Sequence, residues 1–295
     1  MLMMRLKMAG IALGLAFAGA SPAMAGVSIV AGENFYGDVA GQIAGPGAQI
    51  TSILSNPDTD PHLFETDPAT ARAIARADII IENGADYDPW MEKLLGAGGS
   101  HPHQVIVASV LTHRAVGANP HLWWDPQTMP IVARAIADAL IKTDPAGRAG
   151  YEARLTVFLA SLTPVHDKIA ALRKAYAGEP VTATEPVFGY MATAVGLTMR
   201  NERFQWAVMN DTEPSAADTA AYEEDLTGHH VRLFIYNSQA SDSAAERLLG
   251  IARKAGVPVI GVTETEPPGL TFQTWQRSTL DTLGVALAQP VKATP

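Results

Sequence analysis

Beyond residue 26 the chain alternates two patterns of apolar and polar positions. Short apolar runs bounded by turn residues are followed by stretches in which apolar residues recur every three to four positions. That alternation predicts strands interleaved with helices. Strands are expected at 27–30, 49–54, 78–82 and 104–108, and helices at 34–43, 68–76 and 89–95. Asp67 is a natural N-cap for the second helix, since a short carboxylate accepts from the first unpaired backbone N–H groups. The pattern describes a parallel α/β lobe of about four strands.

From 127 to 177 the strand signal disappears. Ile131, Ala135, Ile136, Ala139 and Leu140, then Leu155, Phe158, Leu159, Leu162, Ile169 and Leu172, fall at helical spacing. Asp144-Pro145 must interrupt the run, because a residue preceding proline avoids helical geometry. The stretch 147–177 then predicts a single helix ~45 Å long at ~1.5 Å per residue, kinked at Pro164. Such a helix exceeds what a β-α-β crossover needs and suits a strut. The β/α alternation resumes with strands at 181–184, 197–200, 231–236 and 258–262 and helices near 188–195, 215–227, 242–255 and 272–287. The expected fold is therefore α/β: two lobes, each a mostly parallel four-stranded sheet flanked by helices, joined by one long backbone helix. The boundaries are residues 26–126 for the first lobe, 127–178 for the helical region and 179–295 for the second lobe. No repeat of 20–50 residues is present.

The first 25 residues have the layout of a secretory signal peptide. Arg5 and Lys7 precede an apolar run over 8–20, and Ala23-Met24-Ala25 fits cleavage after Ala25. The run is broken by glycine and serine and short for a span of ~20 apolar residues, and no later stretch reads as membrane-crossing. The expectation is an exported, periplasmic chain of 270 residues with no membrane insertion after cleavage. Losing Arg5 and Lys7 takes the net charge from −9 to −11, which disfavours nucleic acid and anionic lipid as partners. Cysteine is absent, so neither a disulfide nor a thiolate metal site is available. A metal would have to be held by histidine and carboxylate.

Two loops are nearly alike: DPHLFETDP at 60–68 and ANPHLWWDP at 118–126. Each sets a histidine behind a proline, followed by leucine and an aromatic residue. Ligands in open α/β sheets sit beyond the carboxyl ends of the strands, and that rule sorts the polar residues. His62 follows the second strand, His121 the fourth, Glu185 the fifth and Glu264 the eighth, two residues from each lobe. Imidazole and carboxylate oxygen together suit divalent zinc, manganese or iron. Four protein ligands would close a zinc site, whereas bidentate carboxylates would raise the coordination number for manganese. The plain alternatives stand beside this: a lone loop histidine is usually a surface group, and a strand-end glutamate often caps the next helix. Glu266 rivals Glu264. Asp60, Glu65 and Asp125 read equally as partners of the imidazole N–H groups or as turn residues. His101, His103 and His113 are either a weak accessory metal loop or a solvated one, and His166, His229 and His230 read as surface. G-x-S-x-G, G-x-x-x-x-G-K-[ST], H-E-x-x-H and a G-x-G-x-x-G after the first strand are all missing.

These segments carry a resemblance. IVAGENFYGDVAGQIAG (29–45), DPHLFETDPATARAIARADIIIENGADYDPWMEKLL (60–95) and NPHLWWDPQTMPIVARAIADAL (119–140) resemble the metal-specific solute-binding proteins of bacterial ABC transporters, the zinc-uptake-receptor family. So do TEPVFGYMATAVGL (184–197), NDTEPSAADTAAYEEDL (210–226) and GVPVIGVTETEPPG (256–269), and the likeness covers essentially the whole exported chain. It implies two lobes on one backbone helix with a single metal between them. Family ligands fall on His62, His121, Glu185, where the zinc branch usually has histidine, and Glu264, where the family usually has aspartate. The long His-rich acidic loop of many zinc receptors is absent.

The resemblance implies high-affinity extracytoplasmic capture of one divalent ion as cargo, Zn2+ or Mn2+ with Fe2+ behind. Delivery would be to the membrane permease of an ABC importer, by a monomer with no enzymatic activity. Two histidines and two carboxylates form a harder donor set than three histidines and an aspartate, which moves the expectation toward manganese or iron. Alternatives are an exported metal-dependent hydrolase, with Glu266 as general base beside an open metal position, and a receptor for a metal chelate.

Overall fold

In the first lobe, strands β1 (Ser28–Glu33), β2 (Gln49–Leu54), β3 (Ile79–Glu82) and β4 (Gln104–Val107) form one sheet in the order β2-β1-β3-β4, with every neighbour parallel. The chain is described here by a computed structural model covering residues 26–57, 61–97, 104–240 and 243–290; the His62 side chain lies outside that description. Helix α1 (Asn34–Ala44) follows β1 directly and packs on the sheet through Phe35, Tyr36, Val39, Ala40 and Ile43. Gly37 permits this contact, since a Cβ there would lie 2.1 Å from Ser52 Oγ. Helix α2 (Pro68–Arg76) begins as the sequence predicts: the Asp67 side chain accepts from the Thr70 N–H, with proline in the first turn. Helices α3 (Pro89–Ala97) and α4 (Ala108–Leu111) complete the lobe.

The helical region opens with α5 (Thr128–Thr143) and stops at Asp144-Pro145. The predicted long helix is two consecutive segments, bent where they join, α6 (Arg148–Ser161) and α7 (Thr163–Tyr176). They meet at Leu162, whose carbonyl accepts from both Val165 and His166. Pro164 has no N–H for the carbonyl four residues back, so the ladder slips there. Segment α6 packs on α1 and α5, and α7 packs on the second lobe, so the pair spans both lobes. One expectation is corrected here. The continuous stretch Pro145–Tyr176 is long and apolar enough to cross a membrane, its most apolar 18 residues reaching a mean hydropathy of 1.2. Its apolar positions Phe158, Leu162, Val165, Ile169 and Leu172 are instead buried in the core between the lobes.

The second sheet comprises β5 (Pro180–Ala183), β6 (Thr198–Arg200), β7 (Leu233–Asn237) and β8 (Val259–Val262), again all parallel, in the order β6-β5-β7-β8. The two sheets thus share one strand order without sharing sequence. Helices α8 (Gly189–Val195), α9 (Glu202–Met209), α10 (Ala216–Thr227), α11 (Ser243–Ala255) and α12 (Phe272–Ala288) flank the second sheet. The Ser215 side chain caps α10 by accepting from the Asp218 N–H. Helix α9 has no counterpart among the predicted elements. Phe204, Ala207 and Val208 do fall at helical spacing, but over eight residues the signal is too short to stand out.

One apolar core runs through both lobes, from Ile29 and Ile79 to Val181, Leu233 and Leu287. At the join an aromatic chain links Phe35 to Trp123 (ring centroids 4.6 Å apart), and Trp124 to both Phe188 and Trp275 (4.9 Å each). Polar contacts cross at the same level: Asp38 accepts from the Phe272 N–H at 2.8 Å, and Gln42 and Gln273 exchange hydrogen bonds. Two lobes sharing a continuous core resist the large hinge opening expected where a domain interface is small and polar.

Candidate metal centre between the lobes

The carboxyl ends of both sheets face the cleft, and the first lobe's contribution is built on Asn83 and Asp88. Asp88 is buried and accepts the N–H groups of Asn83 and Gly84 on its two oxygens, both at 2.7 Å. This draws the chain after β3 into a tight loop in which Gly84, Ala85 and Asp86 all have positive φ. Gly84 is required: its φ is +70°, and a Cβ would lie 2.2 Å from Ser109 Oγ. The loop presents Tyr87 inward. Asn83 accepts from the Tyr36 hydroxyl at 2.9 Å and donates to the Pro120 carbonyl at 2.8 Å, tying β3 to the His121 loop.

Asn119 then aims His121. Its Nδ2 donates to the Pro186 carbonyl across the lobes at 2.7 Å, which fixes the amide so that Oδ1 faces the imidazole. That oxygen takes the His121 backbone N–H at 3.1 Å and lies 2.7 Å from Nδ1. Since Oδ1 is only an acceptor, Nδ1 carries the hydrogen and Nε2 carries the lone pair. Nε2 points across the cleft to Glu264 Oε2, 3.4 Å away, with both side chains fully buried. Two groups rich in lone pairs facing one another at that distance suit a cation or a shared proton between them.

The second lobe supplies the carboxylates through its strand order. Strand β7 lies between β5 and β8, so Asn237 at its end sits between Glu185, after β5, and Glu264, after β8. The Asn237 amide donates to Glu185 Oε2 at 3.1 Å and to Glu264 Oε1 at 2.6 Å. Gln239 holds the same turn from behind, its Oε1 accepting the N–H groups of Glu264 (2.7 Å) and Thr265 (2.9 Å). From the opposite lobe the Tyr87 hydroxyl donates to Glu264 Oε2 at 2.9 Å. Burial first, and then the Glu264 charge, push the Tyr87 hydroxyl well above its usual range, so it keeps the proton it donates.

The structure therefore sets His121 directly against Glu264 and links Glu185 to Glu264 through the Asn237 amide. The backbone of His62 lies in a short 3-10 turn, Pro61–Leu63, that follows β2. Among the described residues, no three His, Asp or Glu side chains enclose an ion by themselves. Glu266 faces elsewhere: its backbone exchanges hydrogen bonds with Asn34, and burial followed by the Asp38 charge pushes its carboxyl up to about 8. Of the two readings of Asp125 the turn residue holds: it pairs with Arg114 and accepts the Gln127 N–H, while Asn119 partners the imidazole. Asp60, His101 and His103 lie outside the described residues. Sequence reasoning passed over Tyr87, Asn119, Asn237 and Gln239. Asn237 had a signal, being the first polar residue after the apolar run of a strand that ends at the cleft.

A second buried acidic group lies behind the site at the ends of β1 and β3. Glu33 and Asp88 are buried together with Glu82. Burial raises all three carboxyls, Glu33 well above its ordinary range and Glu82 to about 7, helped in both by the neighbouring Asp88 charge.

Comparison with known proteins agrees with this architecture. A putative metal-binding protein of Thermotoga maritima is 27% identical over 177 residues, covering 59% of this chain and 63% of that protein's length. The iron-binding protein YfeA of Yersinia pestis is 22% identical over 270 residues, covering 85% of this chain and 83% of YfeA. The periplasmic zinc-binding protein TroA of Treponema pallidum superposes with a TM-score of 0.75 at 18% identity, covering 89% of this chain and 99% of TroA. The family described as zinc-uptake complex component A, periplasmic, matches residues 29–286, and the chain belongs to that family.

Proposed function

We propose that this chain captures a divalent transition-metal ion outside the inner membrane and hands it to the permease of an ABC importer. His62, His121, Glu185 and Glu264 would hold the ion. The observation that carries the reading is the buried approach of His121 Nε2 to Glu264 Oε2 across the cleft, 3.4 Å apart. A buried carboxylate without a compensating charge is strongly unfavourable. A dication between two carboxylates and a neutral imidazole offsets that penalty and draws the lobes together. Membership of the zinc-uptake family and the metal-binding names of relatives support the same reading. The relatives named above include an iron-binding and a zinc-binding protein, so the family alone leaves zinc, manganese and iron as cargo.

The shared core favours little lobe movement, with the ion released by loop shifts that spoil the coordination; the receptor would act as a monomer. The signal-like segment before Gly26 and membership of a family described as periplasmic support work outside the inner membrane, in the periplasm. The test is isothermal calorimetry on metal-free protein with zinc and manganese. His62→Ala and Glu185→Ala should each lose at least about a hundredfold in affinity, beyond the ~10–100-fold typical of residues that only orient a ligand. Their circular dichroism should stay that of the parent. Unchanged affinity in either variant refutes the ligand assignment.

A further inference from the structure

We propose that Asn237 decides which cation the site prefers, by holding Glu185 and Glu264 so that each offers a single oxygen. This rests on the metal-receptor reading above. A carboxylate binds a metal through one oxygen or through both. Manganese gains from bidentate carboxylates because it takes a larger set of oxygen donors, whereas zinc is satisfied by about four ligands in a tetrahedron. The Asn237 Nδ2 hydrogens are divided between Glu185 Oε2 and Glu264 Oε1. Each oxygen keeps a second lone pair, but rotating the carboxylate so that both oxygens lie equally close to a metal would bend or break its bond to the buried Asn237 amide.

The amide cannot turn to accommodate that swing. Its Oδ1 accepts the Gln239 N–H at 3.0 Å, and its own backbone N–H donates to Thr184 Oγ1 at 3.1 Å. A flipped amide would set Oδ1 against two carboxylates. Strand order holds it in place as well, because β7 lies between the strands that carry the two glutamates. On the opposite lobe Tyr87 fixes the second oxygen of Glu264 at 2.9 Å, beside His121. The two glutamates, which by composition favour a harder ion, are thereby presented as two single-oxygen donors beside imidazole. That set suits zinc over manganese.

The experiment compares zinc and manganese dissociation constants, by competition with a chelating indicator at pH 7, for the parent, Asn237→Ala and Asn237→Asp. The Asp variant keeps the size of the side chain and the acceptor for Gln239 and replaces the donor by a carboxylate oxygen; the charge it adds attracts both dications alike, so the zinc-to-manganese ratio is the quantity read. In Asn237→Ala, zinc affinity should fall ~10–100-fold, as for other residues that orient a ligand, and manganese affinity should fall less. The zinc-to-manganese ratio should drop by more than about threefold in both variants. Thermal unfolding of the metal-free proteins reports on the fold, and if the Ala variant does not fold, the Asp variant decides. A parent that binds neither ion refutes the receptor reading itself. A parent that binds both, with ratios unchanged within about threefold in a folded variant, overturns the role of Asn237 alone.

Discussion

Tyr87→Phe removes one oxygen atom from the join between the lobes and little else. The ring is buried and packs edge-on against Trp123 at 4.9 Å and near His121 at 5.9 Å, contacts that phenylalanine retains. What is lost is the 2.9 Å hydrogen bond from the hydroxyl to Glu264 Oε2, made between residues 177 positions apart in the chain. A hydrogen bond to a charged acceptor contributes about 1.5–3 kcal/mol. For a chain of this length each kcal/mol corresponds to roughly 2–4 °C in melting temperature, so the metal-free variant should melt roughly 3–12 °C below the parent. Circular dichroism melts at pH 7, with urea unfolding at 25 °C as a second measure, read this directly. A change under about 1 °C would mean that the bond contributes nothing in solution. The account of Glu264 as a charged group held from both lobes would then be wrong.

Two further outcomes follow from the same geometry. Trp124 is fully buried against Phe188 and Trp275 where the lobes join, so Trp124→Ala should lower urea stability by about 3–5 kcal/mol; because the core is shared, the parent should unfold in a single transition. Glu82 is buried beside Asp88 with its carboxyl raised to about 7, so the folded chain holds a proton that the unfolded chain releases near pH 4.5. Its contribution is present below that pH and is lost as pH rises through about 7. Melting temperature should therefore fall between pH 5 and pH 8, and Glu82→Gln should flatten that decline; a decline of equal slope in the variant counts against the assignment.

The sequence by itself determined the order and kind of nearly every element. Apolar period and turn chemistry are local properties, and Asp67, Pro145 and Pro164 act on their own neighbours. It also marked His121, Glu185 and Glu264, because the rule that ligands lie at carboxyl strand ends needs only the order of strands and loops. Helix α9 escaped because eight residues give too few turns for a helical period to stand out. The tertiary structure decided what those groups do together. Asn237 matters because β7 lies between β5 and β8, a pairing no local pattern records. Tyr87 and Asn119 matter because a loop after β3 and a loop after β4 reach residues of the other lobe. Glu264 is separated from Glu266 by burial direction: one faces His121, the other Asn34 and Asp38. Hydrogen bonds and charge act over a few ångströms in space, so residues far apart in the chain acquire their roles only when the two sheets close on one cleft.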